Sequence, residues 1–121
     1  MKKIFLAMTI LLFASAINAQ LTDTKWKVTL ALDTPIDIIF NFKKDTVTVF
    51  YAADNSVGEQ MSYTATDTSF TLQKIWGQSD CANGSKGQYH FEIKEGVMYV
   101  KAITDDCDKR GIYLSGSWTK M

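Results

Sequence analysis

Residues 87–102 read GQYHFEIKEGVMYVKA and carry the clearest indication of the fold class. Every second residue is aromatic or aliphatic up to the pair Glu95-Gly96, and the same alternation resumes beyond that pair. The alternating residues are Tyr89, Phe91, Ile93, Met98, Val100 and Ala102. A period of two is typical of strands with one buried face, and a glycine-containing turn between two such strands predicts a β-hairpin.

The same alternation extends in both directions from this hairpin. It predicts eight strands, over residues 25–32, 36–42, 47–51, 61–65, 70–73, 88–93, 98–102 and 112–118. No segment has a helical apolar period. Short turns make sequential strands antiparallel neighbours, and closing the sheet removes both of its edges. We therefore expect an all-β domain built as an eight-stranded antiparallel up-and-down barrel; a β-sandwich is the alternative.

The first nineteen residues are typical of an export signal. Lys2 and Lys3 precede the apolar run 4–13, and small residues lead to Ala19. An apolar run of about ten residues is too short to span a bilayer as a helix, which needs about twenty. We expect a cleaved signal peptide over 1–19 and a barrel domain over 20–121, secreted or periplasmic, with no membrane insertion after cleavage.

The charge of the chain argues against a polyanionic partner. The sequence has 13 basic and 13 acidic residues, and removing Lys2 and Lys3 leaves the remainder slightly acidic. Proteins that bind nucleic acid or anionic lipid carry a basic patch, and this chain has no basic stripe. We expect no nucleic-acid partner.

The two cysteines, Cys81 and Cys107, both follow the export signal. Two cysteines in a small exported domain are usually joined, whereas a redox pair has the C-x-x-C spacing that this chain lacks. The sequence predicts a Cys81–Cys107 disulfide.

Three features resemble the lipocalin-like, calycin-type barrels that bacteria secrete. These are Trp26 early in the first strand, the eight-strand meander, and Arg110 before the last strand. The segments 87–91 and 106–110 and Trp118 are also similar to the second half of such domains. The resemblance implies that Arg110 lies across Trp26 and closes one end of the barrel, with a cation–π contact between them.

Catalytic and metal-binding residues are sparse. His90 is the only histidine, and the alternation puts it on the outer face, so neither a Ser-His-Asp triad nor a histidine metal site can be assembled. The cluster of Asp105, Asp106 and Asp108 has Arg110 where a calcium loop has a ligand, and we interpret it as a solvated turn. We expect no enzyme activity, no metal and no cofactor.

The inward stripe is rich in aromatic residues that are candidates for ligand binding. They are Phe40, Phe42, Tyr51, Tyr63, Phe70, Tyr89 and Phe91. Apolar walls with a few polar groups are typical of small-molecule sites, although eight strands also make a barrel that side chains can fill. We predict a lipocalin-like protein that binds a small apolar or amphipathic ligand. The alternative is a filled barrel that binds another exported protein, for example as an inhibitor, through its loops or outer face.

Overall fold

The computed structural model describes residues 20–121 and is dominated by eight strands. Their bounds are β1 Lys25–Leu30, β2 Ile36–Phe42, β3 Thr46–Tyr51, β4 Val57–Ala65, β5 Ser69–Gly77, β6 Lys86–Lys94, β7 Val97–Asp105 and β8 Gly116–Lys120. The predicted signal peptide over 1–19 lies outside the described residues.

The eight strands form a closed antiparallel barrel in chain order, which confirms the predicted fold. Each strand pairs with its neighbour in sequence, and β1 closes the barrel on β8 by pairing Trp26 with Lys120 and Lys27 with Thr119. Bulges interrupt the pairing at Gln60/Met61 and at Gln88/Tyr89. Bulges bend a strand and redirect its side chains, and both of these lie near the site described below.

One helix interrupts the meander between β7 and β8. It covers Asp108–Leu114 and is α1 here; it packs mainly against β7 and lies at the end of the barrel where β7 ends, which we call the helix end. The prediction of a last strand beginning at Ile112 is therefore wrong. Ile112 is an exposed helical residue, 72% accessible, and β8 begins at Gly116.

The opposite end of the barrel is closed by the segment that leads into β1. Leu21 is fully buried there, and the backbone nitrogen of Asp23 donates to the carbonyl of Phe42 at 2.9 Å. The Tyr63 hydroxyl donates to the carbonyl of Lys43 at 2.5 Å in the same region. This N-terminal plug leaves the helix end as the end with room for a cavity.

The middle of the barrel is filled by contacting aromatic rings. The ring centre of Phe70 lies 5.4 Å from Tyr89, 5.5 Å from Phe91 and 5.8 Å from Trp118. Trp118 in turn lies 4.5 Å from Phe40. Such ring pairs contribute about 0.5–1.5 kcal/mol each beyond the burial of their area, so this region is a packed core.

Candidate ligand-binding cavity

A partly open cavity of about 360 Å³ occupies the helix end of the barrel. Its apolar wall comes from β1 to β4 and from α1, and consists of Leu30, Leu32, Ile36, Ile38, Phe40, Val49, Tyr51, Met61 and Leu114. Its rim comes from β4, the loop 78–85 and α1, and includes Glu59, Gln78, Ser79, Asp80, Lys109, Arg110 and Tyr113 together with the disulfide. The wall is apolar because these strands alternate. The rim is polar, with Gln78, Ser79, Asp80 and Lys109 exposed to solvent and Arg110 buried.

The seven aromatic residues proposed from the sequence all point into the barrel, but the structure divides them. Phe40 and Tyr51 line the cavity. The other five, Phe42, Tyr63, Phe70, Tyr89 and Phe91, are 0–2% exposed and belong to the packed core, outside the cavity wall. Ligand binding by any of the seven stays a prediction.

The tyrosine hydroxyls also have protein partners. Tyr63 donates to the carbonyl of Lys43, and Tyr89 donates to Asp105. Of these three tyrosines Tyr51 lines the cavity, and its hydroxyl lies 3.5 Å from Gln78 Oε1. Buried hydroxyl groups need acceptors, and for Tyr63 and Tyr89 the protein itself supplies them.

A buried ion pair joins α1 to the end of β7. Arg110 Nε and Nη2 donate to Asp105 Oδ2 and Oδ1 at 2.9 and 2.8 Å, and the two side chains are 5% and 3% exposed. Asp105 also accepts hydrogen bonds from the Tyr89 hydroxyl and from the backbone nitrogen of Cys107. Each contact favours the charged carboxylate, which makes a buried charge tolerable here.

These contacts shift the pKa values of the Asp105 carboxyl group and the Tyr89 hydroxyl group. Burial alone would raise the pKa of Asp105, but hydrogen bonds from Arg110, Tyr89 and Cys107 outweigh it and hold that pKa below its usual range. Burial raises the pKa of Tyr89, and the neighbouring Asp105 carboxylate raises it further. Tyr89 therefore stays a protonated donor throughout the physiological range.

A second buried cation, Lys74, organises the loop over the cavity. Its side chain is 2% exposed, and Nζ donates to the carbonyls of Ser79 and Cys81 at 2.9 and 2.6 Å. Nζ also lies 3.4 Å from Glu59 Oε1, while the Ser79 hydroxyl donates to the same carboxylate oxygen at 2.7 Å. Lys74 thus fixes the path of the loop from inside the barrel.

The predicted disulfide is present and sits at the mouth of the cavity. Cys81 and Cys107 are joined with a Cα–Cα distance of 5.5 Å, and both line the cavity. The bond links the loop 78–85 to the start of α1. Together with Lys74, it holds the two segments that form the rim.

Trp26 and Arg110, expected from the lipocalin resemblance to contact each other, have different partners. Trp26 Nε1 donates to Thr24 Oγ1 at 2.9 Å beside the N-terminal plug, whereas the Arg110 guanidinium binds Asp105 at the helix end. Within residues 20–121 no cation–π contact between the two accompanies these bonds. Trp26 thus lies beside the N-terminal plug and Arg110 at the helix end.

The catalytic and metal candidates fall outside the cavity or into structural roles. His90 is exposed on β6, as the alternation predicts. Asp106 and Asp108 are exposed, but Asp105 is not the solvated residue that was expected, because Arg110 draws its carboxylate inward. Among the described residues no group of acidic, histidine or cysteine side chains is arranged to hold a metal ion.

Sequence reasoning missed two residues that shape the site. Lys74 occupies an inward position of β5 by simple alternation, so a charged residue in an apolar stripe was a usable signal. The partner of Arg110 was not predictable in this way. Asp105 contacts Arg110 because the bulge at Gln88/Tyr89 shifts the register of the last residues of β7, and because α1 begins three residues later.

Comparisons of this chain with models of protein families, with curated proteins and with solved structures give no match. Over residues 20–121, no helix has both the length and the apolar character needed to cross a bilayer.

Proposed function

We propose that this chain is an exported, lipocalin-like binding protein that holds a small apolar or amphipathic molecule in the cavity at the helix end. The observation that carries the proposal is the cavity itself. About 360 Å³ of space with an apolar wall and a polar rim lies within the range of about 300–1,000 Å³ that small-molecule sites occupy.

The packing of the rest of the barrel supports this location. The aromatic core and the N-terminal plug fill the middle and the opposite end, so the space inside the barrel lies at the helix end. Burial of a ligand against this wall is worth about 25 cal/mol per Å² of apolar surface removed from water. The disulfide fits an oxidising compartment, which supports the export step of the proposal.

The test is a titration of the purified, oxidised domain with an environment-sensitive apolar dye, followed by dye emission. Ile38 and Ile39 provide a matched pair of variants, because they are adjacent in β2 and point to opposite faces. Ile38 lines the cavity, whereas Ile39 is half-buried on the other face. Replacing Ile38 with Trp fills part of the cavity, while Ile39→Trp adds the same side chain elsewhere.

We expect saturable dye binding by the natural chain and by Ile39→Trp, and binding at least tenfold weaker by Ile38→Trp. Thermal unfolding of each variant shows whether the barrel is intact. A natural domain that does not bind the dye, or folded Ile38 and Ile39 variants that bind it equally well, would contradict the proposal.

A second candidate function uses the outer face. Ile75 and Trp76 are adjacent on β5 and are 46% and 48% exposed, which is unusual for two neighbouring large apolar residues. A partner protein that docks there would fit the alternative of an interaction module. In that case the dye binds the outer face, and Ile75→Ser with Trp76→Ser abolishes its binding while Ile38→Trp has no effect.

A further inference from the structure

One polar group in the cavity wall has hydrogen-bonding capacity that the protein does not use. Arg110 lines the cavity, and its Nε and Nη2 atoms both donate to Asp105. Nη1 is buried and has no hydrogen-bond partner among residues 20–121. A guanidinium is planar, so Nη1 lies on the edge turned away from the Nε–Asp105 bond.

A buried donor without an acceptor is unfavourable, and most buried polar groups avoid this state. A hydrogen bond from Nη1 to a ligand acceptor therefore contributes more binding free energy than the same bond from an exposed donor. Because Arg110 lines the rim of the cavity, a ligand in the cavity is the nearest source of such an acceptor. Nη1 itself has almost no exposed surface, so a ligand reaches it only where the neighbouring atoms move aside.

The charges around the cavity select the kind of acceptor. Arg110 is neutralised by Asp105, Lys109 lies 3.6 Å from Asp80, and Lys74 lies 3.4 Å from Glu59. The two buried cations, Arg110 and Lys74, thus each have their own carboxylate, while Lys109 and Asp80 form an exposed pair that contributes little. A ligand carboxylate would add an unbalanced negative charge close to Asp105 and Glu59, whereas a carbonyl oxygen accepts a hydrogen bond without adding charge.

We propose that the ligand is an uncharged amphiphile whose carbonyl head, of the amide type, accepts a hydrogen bond from Arg110 Nη1. Its chain lies along the wall formed by Leu30, Ile38 and Met61. This inference rests on the function proposed above and names the ligand class for the same cavity. A cavity of about 360 Å³ lies in the size range of small-molecule sites, which fits a medium-length chain with its head.

Competition against the apolar dye tests this ligand class with three compounds of equal chain length. They are octanamide, octanoate at pH 7 and 1-chlorooctane, which carry an uncharged acceptor, a charged acceptor and a very weak acceptor. The variant is Arg110→Lys, because lysine can still pair with Asp105 but has no Nη1. We expect the variant to lose about tenfold to a hundredfold more affinity for octanamide than for 1-chlorooctane, whose change reports the altered cavity lining alone.

A second measurement works on the natural chain and does not depend on the folding of the variant. Arg110 is the only arginine in the sequence, so labelling with ¹⁵N-arginine places one guanidinium in the NMR spectrum. We expect octanamide to shift the Nη1 signals strongly and 1-chlorooctane to leave them almost unchanged.

The outcomes separate the two proposals. Two results would show that the ligand class is wrong while the binding function stands, provided that the dye binds in the cavity. In the first, octanamide does not shift the Nη1 signals. In the second, the Arg110→Lys substitution weakens the binding of octanamide no more than that of 1-chlorooctane. Tighter binding of octanoate than of octanamide overturns the uncharged head group. If the dye does not bind at all, the binding function itself fails.

Discussion

At the scale of single residues, the structure depends on a small buried cluster at the end of β7. Asp105 accepts hydrogen bonds from Arg110, Tyr89 and Cys107, and Gly87 lies against its carboxylate. Breaking a buried ion pair by removing one partner typically costs about 3–5 kcal/mol, because the remaining charge is left uncompensated. The cluster is therefore a large part of what holds α1 on the barrel.

Gly87 tests how tightly this cluster is packed. A Cβ at this position would lie 2.7 Å from Asp105 Cγ and 2.9 Å from Tyr89 Cε1, closer than real Cβ contacts. We expect Gly87→Ala to lower the free energy of unfolding by about 1–3 kcal/mol, measured by denaturant titration. Gln88→Ala, an exposed neighbour on β6, is the control and should change it by less than about 0.5 kcal/mol.

Asp105 also makes stability depend on pH in a defined direction. Its pKa is lowered in the folded state, so its contribution is fully present above the unfolded pKa of about 3.9 and is lost as pH falls through the lower, folded value. We expect the melting temperature to fall on acidification below about pH 4. Asp105→Asn should be less stable at pH 7 and should lose part of this acid dependence; an unchanged acid profile would contradict the assignment.

At the scale of elements, the strands were predictable and the helix was not. Alternation predicted the number and order of the eight strands, because each buries one face and its period needs only a few residues to be visible, but it began the last strand at Ile112 instead of Gly116. The seven residues of α1 make barely two turns, too few for a helical period to be read. Ile112 and Leu114 are apolar and two residues apart, which is the spacing expected of a strand. In the helix they point in different directions: Leu114 faces the cavity and Ile112 faces solvent.

The disulfide and Lys74 both hold the loop 78–85 in position. The cysteines are 26 residues apart, and closing a loop of this length stabilises the folded state by about 3–4 kcal/mol on the chain-entropy model. We expect the double variant Cys81→Ala/Cys107→Ala to lose about this much in a denaturant titration.

The same double variant should keep its barrel, because Lys74 still binds the carbonyls of Ser79 and Cys81 from inside. Far-UV circular dichroism before denaturation checks this point. A variant that is unfolded without denaturant, or one as stable as the natural chain, would show that the stability is distributed differently.

At the scale of the whole molecule, the barrel has a filled part and an unfilled part. The alternation placed aromatic residues inside but could not say which of them touch a cavity, because that depends on strand register and on what closes each end. Leu21 fills one end, and α1 with the loop 78–85 covers the other only in part. Of the seven predicted ligand residues, Phe40 and Tyr51 reach the cavity for this reason.

Methyl NMR with the bound dye shows whether an apolar molecule binds inside the helix end of the barrel. Binding there gives nuclear Overhauser effects from the dye to the methyl groups of Leu30, Ile38 and Met61, which line the cavity. Contacts instead to Ile75, Ile103 and Ile112, all exposed on the outside, would contradict it and place the binding surface on the outer face.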